Sequence, residues 1–350
     1  MMGAAGRRRS PTLNLFLLGA GFNIDATHEA GPVYGNSIYA GHYRIDCGYP
    51  LVADVLKLCF RLDRLPEGKS VEDLFSEAVS SGNYKPLERL VGRLMEADYR
   101  LAQKLASSNT PNSYRKFFEE FSDAEFLTFN YDSLPEIFLA QLRRWCPEDG
   151  YGVPVATERQ FGANLPAGAR SASLVLHLHG SLCVYAAEDE IRGTPFERVA
   201  ELIHRGRPLY TFDADSITPC FPGYRRKMSN TGRVGIEERV IAPVPDKNED
   251  LKQAFIRETY AKALSLLRET GTLVAIGYSF NVHDRVSYAP LLEALARSSE
   301  RTLTIVSPQA NEVRDRIAEE YPRLRVEVVQ KTVREWAGDS FQVSKDGKSL

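Results

Sequence analysis

The stretch LNLFLLGAGFN, residues 13 to 23, decides how the chain folds. Its short apolar half predicts a buried strand, and its two glycines predict a tight turn into a helix. An apolar run that ends in a polar or glycine motif returns at EFLTFNYD (125–132), SLVLHLHG (173–180) and TLVAIGYSFNVHD (272–284). Because helical patterns separate these runs, the sequence predicts an α/β fold with a doubly wound, mostly parallel sheet.

The order of the patterns also predicts how the chain is organised. We expect a disordered leader at 1–12, one domain at 13–335 and a polar tail at 336–350. Amphipathic helical spacing over about 50–121, with a capping-box start at Ser70 and Asp73, favours a helical module inserted between the first two core strands. Crossover helices are the simpler alternative. Residues of about 181–237 are polar and glycine-containing, so we expect an irregular segment of loops and short helices there.

Composition excludes several classes of protein. The 350 residues carry 44 Lys and Arg against 46 Asp and Glu, a net charge of -2 that gives no case for direct nucleic-acid binding. The five cysteines are scattered without a C-x-x-C pair, which argues against a disulfide framework and a four-cysteine zinc module. No apolar run is long enough to span a membrane. We therefore expect a cytoplasmic protein without a metal.

The polar motifs are predicted to share one site, because the carboxyl ends of parallel strands line a common crevice where ligands bind. The backbone of GAGFN could approach a pyrophosphate closely, and His179 could act as a general base near neutral pH. Structural interpretations stay open for each motif. The glycines could form only a turn, Asp132 or Ser133 could cap a helix, and Asp284 could cap the next one.

Together the motifs resemble those of the sirtuin-like family, whose Rossmann-like domain binds NAD and breaks the nicotinamide–ribose bond. TFNYD resembles the family's TQNxD motif, HG at 179–180 its catalytic His-Gly, and GYSFNV its GTSLxV segment. The resemblance implies that Asn130 and His179 are catalytic and that Asp132 faces the nicotinamide carboxamide. It implies that the remaining NAD-binding positions are Gly19, Ala20, Gly21, Asn23, Gly277, Ser279, Asn281, Asp284 and Ser307. Among these, Asn281 and Asp284 match relatives in bacterial defence systems, and Ser307 replaces an Asn near the adenosine ribose.

Two departures from the deacylating sirtuins narrow what the resemblance implies. The cysteine quartet of their zinc ribbon is absent, and no arginine follows the glycine loop in their pattern. Both favour the antiphage branch, and hence an NAD glycohydrolase that releases nicotinamide and ADP-ribose in abortive infection. An NAD-dependent protein deacylase and a non-catalytic nucleotide-binding or scaffold subunit are the alternatives. We expect control through a homo-oligomer or a separate sensor protein, such as an ATPase or an Argonaute-like protein.

Overall fold

The computed structural model describes residues 14–30, 34–36, 44–46, 48–98, 101, 104–105, 112–153, 156–159, 170–187, 209–213, 218–219, 236–240, 243, 247, 251, 254–297 and 301–339. The strands are β1 (Leu15–Leu18), β2 (Tyr34–Asn36), β3 (Arg44–Asp46), β4 (Glu125–Thr128), β5 (Ala156–Arg159), β6 (Val175–His177), β7 (Gly180–Ala187), β8 (Leu209–Asp213), β9 (Thr218–Pro219), β10 (Ile236–Val240), β11 (Thr272–Ile276), β12 (Thr302–Val306) and β13 (Arg325–Val329). The helices are α1 (Ala20–Ala30), α2 (Val52–Val55), α3 (Val71–Ser80), α4 (Lys85–Ala97), α5 (Ser113–Glu120), α6 (Leu134–Gln141), α7 (Ala254–Glu269), α8 (Arg285–Ala296), α9 (Ala310–Glu320) and α10 (Val333–Gly338), with a π-helical turn at Leu56–Phe60 and a 3₁₀ turn at Val282–Asp284.

The core is a six-stranded sheet in the order β13-β12-β11-β1-β4-β6. Every neighbouring pair in it is parallel. The first core strand, β1, is central in the sheet. The next two core strands, β4 and β6, lie on one side of it, and β11 to β13 lie on the other side. This reversal is the switch point of a doubly wound sheet, and it lies between β1 and β11. The predicted fold class is confirmed.

Strand β1 shows why the apolar run folds as it does. All four of its residues are buried, as a strand covered on both faces requires. Phe16 and Leu18 pack into one apolar cluster with Phe126 and Phe117, while Leu15 and Leu17 pack into a second cluster on the other face. The alternation of side chains along a strand therefore gives the sheet a core on each side.

A second sheet corrects the expectation of an irregular segment. Strands β10, β7, β8 and β5 form it in that order, and β9 pairs with β8. The segment at about 181–237 is therefore not simply irregular, since β7 to β10 lie within or across it. The strands β2 and β3 form a separate two-stranded antiparallel sheet. Antiparallel strands such as IEERV lack a long apolar run, so the sequence carries little signal for them.

The region predicted as a helical insertion holds α2, the π-helical turn, α3, α4 and α5. It has a small core of its own, formed by Val55, Cys59, Phe75 and Leu90. Ser70 and Asp73 cap α3 reciprocally, as the sequence predicts. Among the described residues, no helix has both the length and the apolar character needed to cross a membrane.

At the other end, α10 extends the folded core slightly past the predicted start of the tail. Trp336 is buried, and its ring lies 6.3 Å from that of Phe121 and 6.4 Å from that of Phe117, centroid to centroid. The leader at 1–12 and residues 340–350 lie outside the described ranges.

Candidate active site

The loops that follow β1 and β11 pack directly against each other. The amide of Gly19 donates to the Ile276 carbonyl at 2.9 Å, and that of Gly21 donates to the Gly277 carbonyl at 2.8 Å. A Cβ on Gly19 would lie 2.5 Å from the Tyr278 Cα, and one on Gly277 would lie 2.3 Å from the Phe22 nitrogen. Gly277 also has a φ of +61°. Close backbone approach therefore requires these glycines, whatever ligand the turn binds.

The side-chain amide of Asn130 lies at the carboxyl ends of β1 and β4 and is held in a fixed orientation. Its Nδ2 donates to the Gly19 carbonyl at 3.0 Å and to Asn23 Oδ1 at 3.1 Å. Asn23 Nδ2 in turn donates to Asp132 Oδ2 at 2.5 Å. The structure thus joins four predicted site residues in one network. Within it Asn23 and Asp132 are buried, whereas Asn130 is only partly so.

Asp132 is a buried carboxyl whose other oxygen accepts from the Leu134 amide at 3.0 Å, which caps α6. Burial raises the pKa of Asp132, and the charge of Glu136 raises it further, against the opposing effect of the Asn23 hydrogen bond. The helix-capping alternative and the predicted site role are therefore both compatible with its position.

His177 contacts the backbone of Asn130. Its Nδ1 is 3.0 Å from the Asn130 carbonyl oxygen, and its Nε2 is 2.7 Å from Glu136 Oε1. Burial alone would lower the pKa of His177, but the adjacent Glu136 carboxylate and the further charge of Asp132 raise it overall. An imidazolium donates from both nitrogens, so His177 can bond both partners at once. The contact positions Asn130 through its backbone.

His179 lies in a different environment, although it is only two residues away. Its Nε2 is 2.8 Å from Ser287 Oγ, and its ring centroid is 4.7 Å from that of Phe129, the residue before Asn130. Burial and the charge of Lys247 lower the pKa of His179 to about 3. The imidazole is therefore neutral at pH 7. In this conformation it is a much weaker base than the sequence leads us to expect.

Asp284 forms an ion pair with Lys247 close to His179. The Lys247 ammonium is buried and contacts Asp284 Oδ1. The carboxylate of Asp284 makes no side-chain cap on α8, although the residue stands at the N-cap position. The carboxylate of Asp284, a predicted NAD-binding residue, is therefore paired with Lys247, to which the sequence resemblance assigns no role.

Among the other predicted binding residues, Asn281 and Ser307 serve local turns, whereas the Ser279 carbonyl bonds a residue far along the chain. Ser279 is exposed, and its carbonyl accepts from Arg316. Asn281 Oδ1 accepts from the His283 amide at 3.2 Å, and Ser307 Oγ accepts from the Gln309 amide at 3.1 Å. Ala20 is exposed at the start of α1. None of the bonds described for these residues reaches the Asn130 network.

Sequence reasoning missed four polar residues that the structure places at or near the site: Asp98, Glu136, Ser287 and Lys247. Glu136 does stand in the S-x-x-E pattern with Ser133, but Ser133 makes no side-chain cap and Glu136 bonds His177. Lys247 ends the segment IAPVPDK, whose prolines mark it as unusual without indicating a charge partner. Asp98 directly follows α4 and Ser287 lies in α8, and no local pattern distinguishes either residue.

No protein-family model matches the chain, and no curated protein does. Solved structures do align with it over most of its length. One, from work on the mechanism and regulation of Sir2 enzymes, is 13% identical with a TM-score of 0.40, over 95% of this chain and 92% of that one. A complex of a Sir2 homologue with NAD is 13% identical with a TM-score of 0.43, over 94% and 88%. A sirtuin structure on substrate affinity is 15% identical with a TM-score of 0.34, over 93% and 92%. The fold assignment rests on the strand order and not on these values.

Proposed function

We propose that the protein is an NAD glycohydrolase. In the reaction, water adds to C1′ of the nicotinamide-bearing ribose and the C1′–nitrogen bond breaks. NAD⁺ and water give nicotinamide, ADP-ribose and a proton. Nicotinamide leaves as a neutral molecule because the pyridinium takes the bonding electron pair, so no acid has to protonate it. The enzyme's task is to position the reacting groups and to stabilise oxocarbenium character at C1′.

One observation carries this proposal: hydrogen bonds to other protein groups fix the orientation of the Asn130 amide. Both hydrogens of Nδ2 are donated inward, to Gly19 and Asn23. These two bonds fix the orientation of the side chain. They leave Oδ1 available as a hydrogen-bond acceptor, since no donor among the described residues bonds it. An amide oxygen accepts hydrogen bonds from water or from a ribose hydroxyl. Asn130 can therefore orient the attacking water or the ribose at the crevice of the sheet.

The neighbouring groups support the same chemistry. His177, itself bonded to Glu136, contacts the backbone carbonyl of Asn130, and the Phe129 ring contacts the rings of His179 and Tyr278. His179, neutral at pH 7, can accept a proton from a hydroxyl group once Nε2 leaves Ser287 and the ring is less buried, since burial is the main cause of its lowered pKa. In the proposed mechanism Asn130 orients the nucleophile and His179 is the nearby base.

The proposal extends to the biological setting that the sequence resemblance implies. An enzyme that empties a cell of NAD harms its host, so it fits an abortive-infection effector in the cytoplasm that is silent until triggered. We propose a homo-oligomer or a sensor protein as the control. Leu51 and Val52 support a contact at α2, because 46% and 57% of their surface is exposed. Light scattering tests this part, and a monomer that is fully active alone would contradict it.

The activity itself is tested by incubating purified protein with NAD, with and without an acetylated lysine peptide. Chromatography then follows nicotinamide, ADP-ribose and the peptide. A glycohydrolase releases nicotinamide and ADP-ribose at the same rate in both mixtures. Nicotinamide release that requires the peptide would identify a deacylase instead. An absence of release from either mixture, with NAD still bound, would identify a non-catalytic subunit.

A further inference from the structure

A buried carboxyl outside every sequence motif connects the helical region to the candidate site. Asp98 directly follows α4 and is buried. Its Oδ2 accepts from both the backbone amide and the hydroxyl of Ser133, at 2.9 and 2.5 Å, and its Oδ1 accepts from the Tyr49 hydroxyl at 2.9 Å. Three donors thus converge on one carboxyl group, which is more than a surface acid at a helix end would attract.

The bonds of Asp98 lead step by step to Asn130. Ser133 follows Asp132 in the chain and precedes α6, so a group that holds Ser133 also fixes the loop that carries Asp132. Asp132 accepts from Asn23, and Asn23 accepts from Asn130. The orientation of the Asn130 amide therefore depends on where Asp132 lies, and the position of Asp132 depends on Asp98.

Charge adds to this argument. Burial and the nearby negative charge of Asp132 raise the pKa of Asp98 to about 8. The raised pKa favours the neutral form of Asp98, which avoids two buried like charges side by side. An asparagine has the same shape and is neutral: its oxygen can accept both bonds from Ser133 while its NH2 group donates to the Tyr49 oxygen, whereas alanine can make none of these bonds.

We propose that Asp98 is a positioning residue, through which the helical region sets the geometry of the Asn130–Asp132 loop. The inference rests on the proposed function for its effect on NAD cleavage, but its geometric part does not. It gives the helical region a route to control the site, since a partner that shifts the end of α4 would shift Asp98 and with it the loop.

Hydrogen exchange measured by mass spectrometry, together with NAD cleavage, tests this inference on Asp98→Ala, Asp98→Asn and the full-length wild type. For Asp98→Ala, we expect the peptide containing residues 129–134 to exchange faster, because the Ser133 amide loses its acceptor. We expect kcat to fall about 100-fold with KM within about twofold, since a small misplacement of a catalytic group costs this much. For Asp98→Asn, both readouts should stay close to wild type.

The matched control is Asp73→Asn, an acid of the same helical region whose carboxylate, among the residues that the structure describes, bonds only the N-cap Ser70 of α3. It should leave both readouts unchanged. If Asp98→Ala does not fold, Ser133→Ala removes one of the two bonds to Asp98 and should move both readouts in the same direction. Unchanged exchange at 129–134 in the folded variant would overturn the inference. If wild type cleaves no NAD, the proposed function fails and the exchange result alone decides on Asp98.

Discussion

Replacing His177 by alanine should destabilise the protein by about 3–5 kcal/mol, the usual cost of leaving one partner of a buried ion pair alone. His177 is 0% exposed, and its Nε2 lies 2.7 Å from Glu136 Oε1. Without the imidazole, that carboxylate oxygen keeps, within the described part of the chain, only the Tyr151 hydroxyl at 3.3 Å. The other oxygen, Oε2, already has no partner among the described residues. The Asn130 carbonyl would also lose its contact at 3.0 Å.

This prediction differs from what the sequence resemblance implies. The resemblance assigns no role to His177, so it predicts that His177→Ala is milder for NAD cleavage than His179→Ala. The structure instead gives His177 a direct contact to the backbone of Asn130. We therefore expect His177→Ala to impair both stability and any activity that depends on Asn130.

Chemical unfolding in guanidinium chloride measures the effect, with His28→Ala as the control. His28 is exposed on α1, so its replacement should change the free energy of unfolding by less than about 0.5 kcal/mol. The double variant Glu136→Ala/His177→Ala should cost less than the sum of the two single changes, because neither charge is then left alone. A loss below about 1 kcal/mol for His177→Ala would refute the reasoning.

Two further predictions concern stability. The pKa of Asp98 is raised in the folded state, so folding retains a proton that the unfolded chain loses above about pH 4. The free energy of unfolding of wild type should therefore fall as pH rises towards 8, and for Asp98→Asn it should fall less. Urea unfolding at pH 5 and pH 8 measures this difference. An equal fall in both proteins would contradict the pKa shift of Asp98. Gly277→Ala should cost more than about 2 kcal/mol, because its Cβ would meet the Phe22 nitrogen at a positive φ. Gly82→Ala, also at positive φ but with open space around it, should lower the free energy of unfolding by only about 1 kcal/mol. Equal losses of stability for the two variants in thermal unfolding would contradict the close packing described at Gly277.

The fold could be predicted because its decisive signals are local. A central parallel strand is buried on both faces, so LFLL in β1 is apolar at every position, and the same holds for most of β11. The helices between such runs require parallel crossovers. The second sheet could not be predicted in this way. Its strands carry mixed polar sequences such as IEERV, and their pairing joins segments far apart in the chain.

The candidate site could be predicted only in part. Gly19, Asn130 and Asp132 lie in the loops after β1 and β4, and Asn23 lies in the first turn of α1, so parallel topology brings all four to one edge. Asp98 reaches that edge from a helix, and nothing in the sequence near it indicates a partner 35 residues away. The pattern from Ser133 to Glu136 is also ambiguous in the sequence. A Ser and a Glu three residues apart are typical of a capping box, but here Ser133 bonds Asp98 and Glu136 bonds His177.

The most direct test of the central claim is the rate of nicotinamide release from NAD by wild type, Asn130→Ala and Asn83→Ala. Asn83 is exposed in the turn between α3 and α4 and serves as the matched control. We predict that wild type and Asn83→Ala release nicotinamide at the same rate and that Asn130→Ala is slower by about 100-fold or more. Equal rates for all three proteins would contradict the claim that the oriented Asn130 amide carries the chemistry.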